Sequence, residues 1–340
     1  MIKLKHVVLA ASVFFSAAAS TPALALDKVS FGTNWRAQGS HGGYYQAVAD
    51  GTYARYGLEV DIQQGGPQVN NRPLLSAGKL DFLMGGNLLQ AFDNIKNRVP
   101  TVWVAAMFQK DPQGLMAHAD AGYKNFNDLT RAKTILIGKD MQFAGWQWMK
   151  KTHGFRDEQL RPYNYSLAQF LADKAVVQQV FVNAEPIYAE AAGVKPQVFL
   201  LADAGWSTYA NGIETRADMT KNKPDVVRRF VEASIIGWYN FMYGDHTAAY
   251  ALIKKANPEM TDEKIDREVA KIREIGLLDS GDALEKGIGT MSQARINDFY
   301  EKMVKSGLYK QQDVDLNLVI DTRFVNKGLG LDLKKKLSKQ

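Results

Sequence analysis

Val29-Ser30-Phe31-Gly32-Thr33, a helical stretch from Gly42 to Tyr56, and Leu58-Glu59-Val60-Asp61-Ile62 follow one another near the start of the chain. The first segment is a short apolar-rich strand. In the second, Tyr45, Val48, Ala49 and Tyr53 recur at three- and four-residue spacing, which puts them on one face of a helix. Gly57 is placed to end that helix, because a left-handed cap favours glycine. The third segment alternates strictly and reads as a strand with one wet face. The pattern then repeats: a short helix over 70–77, the strand Leu80–Met84, a helix from Asn87 to Lys96 with Asn87 as its cap, and a near-continuous apolar run from Thr101 to Met107. Strands alternating with helices predict a parallel sheet with right-handed crossovers.

A second unit of the same kind begins near Gly114. Thr134–Ile137, Val176–Val182 and Val198–Leu201 read as strands, with helices over Phe143–Thr152 and Glu185–Ala192. Asn211–Thr215 is the last strand. From Lys223 onward the pattern is helical: Pro224 opens a helix carrying Val227, Phe230, Val231, Ser234, Ile235 and Trp238 as its apolar stripe. Thr261 caps another helix, and a third runs over Ser292–Ser306 to Gly307. Lys334-Lys335-Lys336 reads as a frayed tail. The expected division is residues 1–25 as a signal peptide, 26–113 with 213–340 as one lobe, and 114–212 as the other. The chain crosses twice between the lobes, as a hinge requires.

The signal-peptide reading rests on Lys3, Lys5 and His6 ahead of an apolar stretch from Val7 to Ala19, and on Ala23-Leu24-Ala25 as a cleavage site. It predicts export to a periplasm. With no cysteine in 340 residues, thiol catalysis, disulfides and Cys-ligated metal sites are excluded. The net charge of +6 is spread along the chain, so no nucleic-acid footprint is expected. No histidine pair has metal spacing, and neither a P-loop nor G-x-S-x-G occurs. Neither a metal nor a cofactor is therefore expected.

Candidate ligand-binding residues come from the loops after predicted strands, where open α/β sheets bind. His41 lies in Gln38-Gly39-Ser40-His41-Gly42-Gly43. Trp35, Tyr45, Phe143 and Trp206 form an aromatic set suited to a flat organic ligand, and Asn34 and Asn87 add polar groups. Glycines in this loop, in Gly65-Gly66-Pro67 and in Gly85-Gly86-Asn87 serve either tight turns or close backbone approach to a ligand. Glu185, in Asn183-Ala184-Glu185-Pro186, is either an acid favouring its helix N-terminus or a ligand acceptor.

Several stretches together resemble one family. These are Thr33-Asn34-Trp35, Gly43-Tyr44-Tyr45-Gln46-Ala47-Val48-Ala49-Asp50-Gly51-Thr52-Tyr53, Tyr56-Gly57-Leu58-Glu59-Val60, Leu75–Phe82 and Val182-Asn183-Ala184-Glu185-Pro186. They resemble the periplasmic substrate-binding proteins of nitrate, sulfonate, taurine and thiamine-pyrimidine ABC transporters, a family that includes thiamine pyrimidine synthases. The resemblance covers about residues 28–240. It implies a type II periplasmic-binding fold, two α/β lobes joined by two crossing strands with the ligand between them. It also implies a non-enzymatic role: capture of a small organic solute by hinge closure and delivery to a permease and its ATPase, by a monomer. Asn34-Trp35 and Glu185 are most similar to the pyrimidine binders, in which a Trp stacks on the ring. Taurine, sulfonate and nitrate remain alternatives. A synthase is the enzymatic alternative, but those resembled carry a cysteine-rich motif that this chain lacks.

Overall fold

The structure, a computed structural model, describes residues 25–66, 69–143 and 145–339; the expected signal peptide falls, but for Ala25, outside them. Ten strands are present among the described residues: β1 (Asp27–Gly32), β2 (Leu58–Gln63), β3 (Phe82–Asn87), β4 (Thr101–Phe108), β5 (Gln113–His118), β6 (Thr134–Ile137), β7 (Leu160–Pro162), β8 (Val176–Phe181), β9 (Pro196–Leu200) and β10 (Ala210–Arg216). They form two five-stranded sheets, ordered β2-β1-β3-β10-β4 and β7-β6-β8-β5-β9.

The expected parallel order holds for β2-β1-β3, with Val29 beside Val60 and Phe31 beside Phe82, and for β7-β6-β8. Each sheet also holds one strand running the other way. β10 is antiparallel to both β3 and β4, and β5 to both β8 and β9. The two exceptions share a cause. The chain leaves the first sheet through residues 109–112 and enters the second directly with β5. It returns through residues 201–209 and re-enters the first with β10. An entering strand arrives from the opposite lobe and therefore points against its neighbours.

β4 is buried along its whole length, as its apolar run predicts. Its outer edge is covered by the C-terminal region: the Trp103 N–H donates to the Val319 carbonyl at 3.0 Å, and the Ala106 N–H to the Gly289 carbonyl at 3.0 Å. Covering an edge in this way removes a template for unwanted strand pairing.

The helix Pro224–Tyr243 begins at its proline and buries all six residues of the predicted stripe. It lies tightly against the helix Gly42–Ala49. A methyl group on Gly42 would overlap the Phe241 ring, one on Gly43 the Trp238 indole, and one on Gly237 the Gly43 carbonyl. These glycines thus serve helix packing, a third role beside the two expected. The single helix expected over Gly42–Tyr56 is in fact two, Gly42–Ala49 and Thr52–Arg55. Gly51 breaks it at φ 73°, and the Asp50 carboxylate accepts the Thr52 N–H at 2.9 Å. The lysine-rich tail is the helix Leu331–Leu337, pinned by Lys334 on the Asp279 carboxylate. Among the described residues no helix is long and apolar enough to cross a membrane.

Candidate functional site

The segments that follow β1 in one sheet and β7 and β8 in the other meet at the seam between the lobes. After β1, the loop is fixed by its own polar groups. The Thr33 hydroxyl donates to the Trp35 carbonyl at 2.8 Å, the Asn71 amide to the Thr33 carbonyl at 3.1 Å, and the Asn257 amide to the Ala37 carbonyl at 2.9 Å. This holds Trp35 half-buried at the seam, where its ring meets that of Tyr165 from the second lobe, centroids 4.6 Å apart and planes at 52°. Tyr165 is in the left-handed region, φ 63°, as is Asn211 at φ 49°. Left-handed backbone in a non-glycine residue costs free energy and tends to be retained at working sites.

Behind Trp35 lies a chain of polar side chains. His41 Nε2 is 3.2 Å from Asn34 Oδ1, and Asn34 Nδ2 reaches Asn211 Oδ1 at 3.5 Å. His41 is 1% exposed, and burial pushes its pKa down to about 3, so the imidazole is neutral. One residue earlier, the Ser40 hydroxyl accepts from Asn183 Nδ2 at 2.8 Å, a direct bond between the lobes. Three buried atoms of this group have no hydrogen-bond partner among the described residues: His41 Nδ1, Asn183 Oδ1 and Asn211 Nδ2. Unpaired buried polar atoms are uncommon and ask for a reason, a bound ligand or ordered water among them.

Two carboxyls stand nearby. Glu268, on the helix Asp262–Glu274, accepts the Gly39 N–H and meets the Tyr188 hydroxyl of the other lobe at 2.7 Å. Burial pushes its pKa up to about 8. Glu185 accepts the Phe181 N–H at 2.8 Å, closing the turn between β8 and its own helix. Burial raises its pKa as well, against the hydrogen bonds from Phe181 and Tyr163 that favour the ionised form. That geometry gives Glu185 a structural task at the helix start.

The remaining expected residues separate. Asn87 caps its helix, its Oδ1 accepting the Leu89 N–H at 3.0 Å. Tyr45 is buried on the helix behind His41, its phenol pushed up to about 12 by burial. Phe143 ends the short helix Lys139–Phe143, and its side chain lies outside the described residues. Trp206 is fully enclosed at the hinge. It donates its indole N–H to Asp111 at 2.8 Å and packs edge-on against Phe299. Tyr165, Asn211, Tyr188 and Glu268 were not singled out from the sequence, yet they meet the expected residues here. Among the described residues no group of three metal-ligating acids or histidines is present.

The family described as NMT1/THI5 like matches residues 38–247, more than half of the chain. A riboflavin-binding protein, RibY, of Chloroflexus aurantiacus is 26% identical over 203 residues, 57% of this chain and 56% of that one, so the chain spans little more than half of the relative it matches. The periplasmic sulfonate-binding protein SsuA of Methylobacillus flagellatus KT superimposes with a TM-score of 0.59 at 15% identity, covering 93% of this chain and 96% of that one. The desulfurization enzyme DSZB, bound to biphenyl-2-sulfinic acid, does so at 0.56 and 11% identity, over 91% and 99%. These likenesses show the two-lobed periplasmic-binding-protein fold, and the family match over residues 38–247 shows that the chain belongs to the NMT1/THI5-like family.

Proposed function

We propose that this chain is the periplasmic solute-binding component of an ABC importer, which closes on a small, planar, uncharged organic ligand and delivers it to the membrane permease. The observation that carries this reading is the Trp35–Tyr165 pair. Two rings from opposite lobes frame the seam, with His41 Nδ1, Asn183 Oδ1 and Asn211 Nδ2 unpaired in the polar groups beside it. A flat heterocycle satisfies both, offering a face to the rings and edge donors and acceptors to the amides and the neutral imidazole.

Charge favours a neutral ligand over a sulfonate or nitrate. The cations beside the seam are engaged within the protein: Arg267 by the Glu190 carboxylate, Arg36, next to Trp35, by Glu259, and Lys264 over the Tyr188 ring. The Gly39 N–H, which a helix-end anion site would offer, is already taken by Glu268. Pyrimidines are the first candidates, from the resemblance of Asn34-Trp35, and flavins join them because a relative is a riboflavin-binding protein. Binding rather than catalysis is favoured by a site of amides, a hydroxyl and an imidazole too weakly basic to take a proton near neutrality.

The test is a thermal-shift screen of the refolded protein with aminopyrimidines, thiamine, riboflavin, taurine, alkanesulfonates and nitrate. A ligand at 100 times its Kd adds about 2.7 kcal/mol and raises the midpoint. A shift with the planar neutral compounds supports the reading. A shift with sulfonates or nitrate alone overturns the ligand class, and turnover of a bound compound overturns the binding role.

A further inference from the structure

We propose that Glu268 and Tyr188 form a protonation-dependent catch between the lobes, in which the closed arrangement holds Glu268 as a neutral acid and release of its proton opens the seam. The proposal rests on reading that seam as a cleft that opens, and it goes beyond that reading by naming what governs closure.

Glu268 sits mid-helix, 0% exposed, between the Gly39 N–H of its own lobe and the Tyr188 hydroxyl of the other. It pairs with no cation among the described residues. The charges around it are committed elsewhere. Lys264, one turn earlier on the same helix, lies over the Tyr188 ring at 5.3 Å and donates to the Glu259 carbonyl at 2.8 Å; its charge favours the Glu268 carboxylate, but burial outweighs it. Arg267 engages the Glu190 carboxylate and the Ile187 carbonyl of the helix Glu185–Ala191. Glu185 of that helix and Glu259 ahead of the Glu268 helix add like charge around the pair, while His41, beside Gly39, is neutral. A carboxylate enclosed without a cation, facing a second carboxyl from the opposite lobe, is strongly disfavoured.

The neutral form is fully bonded where it stands. Glu268 Oε2 still accepts from Gly39. The ionised form accepts the Tyr188 O–H at Oε1; in the neutral form that bond reverses, the Oε1 proton being donated to the Tyr188 oxygen while the Tyr188 O–H turns to Met260 Sδ at 4.0 Å. Separating the lobes removes Tyr188, hydrates the carboxyl and returns it to the ordinary carboxylate range. Closure therefore takes up a proton. With a closed-state value of about 8 against 4.5 when hydrated, the catch is at full strength below about 4.5 and is lost as pH rises through about 8. Glu268 is thus a positioning residue, acting on a ligand only through the state of the lobes.

Small-angle scattering of the refolded, ligand-free protein at pH 6.5 and 9 tests this. The expected result is a larger radius of gyration at pH 9 for the wild type. Glu268→Gln should be compact at both values, because the amide accepts from Gly39 and donates to Tyr188 without titrating. Tyr188→Phe, which keeps the ring under Lys264 but loses the bond, should be expanded at both. A wild-type radius independent of pH overturns the catch. So does a Glu268→Gln protein that expands like the wild type, or a Tyr188→Phe protein that is compact at pH 6.5. Near-ultraviolet circular dichroism confirms that each variant is folded. Because no ligand is added, a failed ligand screen and a failed catch are separate results.

Discussion

The rings of Trp35 and Tyr165 lie 4.6 Å apart across the seam, one carried by the loop after β1 and the other by the segment between β7 and β8. Neither is held by the strand pairing of its own sheet, so their separation is set by how far the lobes are closed. The two rings touch in this arrangement, so a ligand entering the seam must part them or stack beside them, and either way it is read by both lobes at once. That is the condition for binding energy to differ between open and closed states, without which no ligand can drive closure.

Replacing Trp35 by Ala removes one of the two faces. An aromatic pair is worth about 0.5–1.5 kcal/mol beyond its buried area, so the loss with that area included is expected to be tenfold or more in Kd. Trp35 is only half-buried and its loop is held by Thr33, Asn71 and Asn257, so the thermal midpoint should stay within a few degrees. Calorimetric titration with the best ligand of the screen, beside a melting curve, checks both. An unchanged Kd would remove Trp35 from the site.

Trp206→Phe should do the reverse. Its indole N–H is donated to the buried Asp111, which then keeps the backbone N–H and side-chain amide of Gln113. Loss of one partner at a buried polar group costs about 1–3 kcal/mol. The midpoint should fall by several degrees with Kd unchanged within about twofold. A weakened Kd at an unchanged midpoint would return Trp206 to the ligand-facing set.

How much of this was legible in the sequence follows from what each signal encodes. Alternation in Leu58–Ile62 and the apolar run at Thr101–Met107 mark strands locally, and both are strands. Direction within a sheet has no local signal, so β10 and β5 read like any other strand. β7, three residues with an arginine and a proline, is too short for any period. Glu268 was readable in principle. Ile265, Val269 and Ile272 give the apolar stripe of its helix, and residue 268 falls on that stripe by i, i+3, i+4 spacing. A run beginning Asp262-Glu263-Lys264 masks it as one more solvated charge. In Asn183-Ala184-Glu185-Pro186 the glutamate draws attention as the charged residue, while the asparagine makes the bond between lobes. The members of the aromatic set look alike in sequence, and only long-range packing separates Trp35 at the seam from Trp206 in the hinge.

His41 gives a pH prediction with a definite sign. Folded, it stays neutral down to about pH 3; unfolded, it takes a proton near 6.5. The unfolded state therefore binds more protons below 6.5, and the folded state loses up to about 1.4 kcal/mol per pH unit as pH falls from 6.5 toward 3. This stabilisation is fully present above 6.5. His41→Gln should remove that component, so that the urea midpoints of wild type and variant converge between pH 7 and 5. Parallel midpoint curves across that range would show that His41 does not titrate differently in the two states.

Gly43→Ala tests whether the glycines of the 39–43 loop serve packing or ligand approach. A methyl group there runs into the Trp238 indole, which is fully buried against Tyr44, Phe108 and Phe241. Overpacking of this kind costs about 1–3 kcal/mol, so the melting midpoint should fall by several degrees. Gly66→Ala is the control, since its nearest contact would be the Arg36 side chain at an ordinary 3.6 Å. It should melt within about one degree of wild type, the range expected for a surface substitution. If Gly43→Ala melts like Gly66→Ala but binds the ligand less tightly, the glycine faces the ligand and not the helix. Loss of stability with Kd kept assigns it to the helix contact.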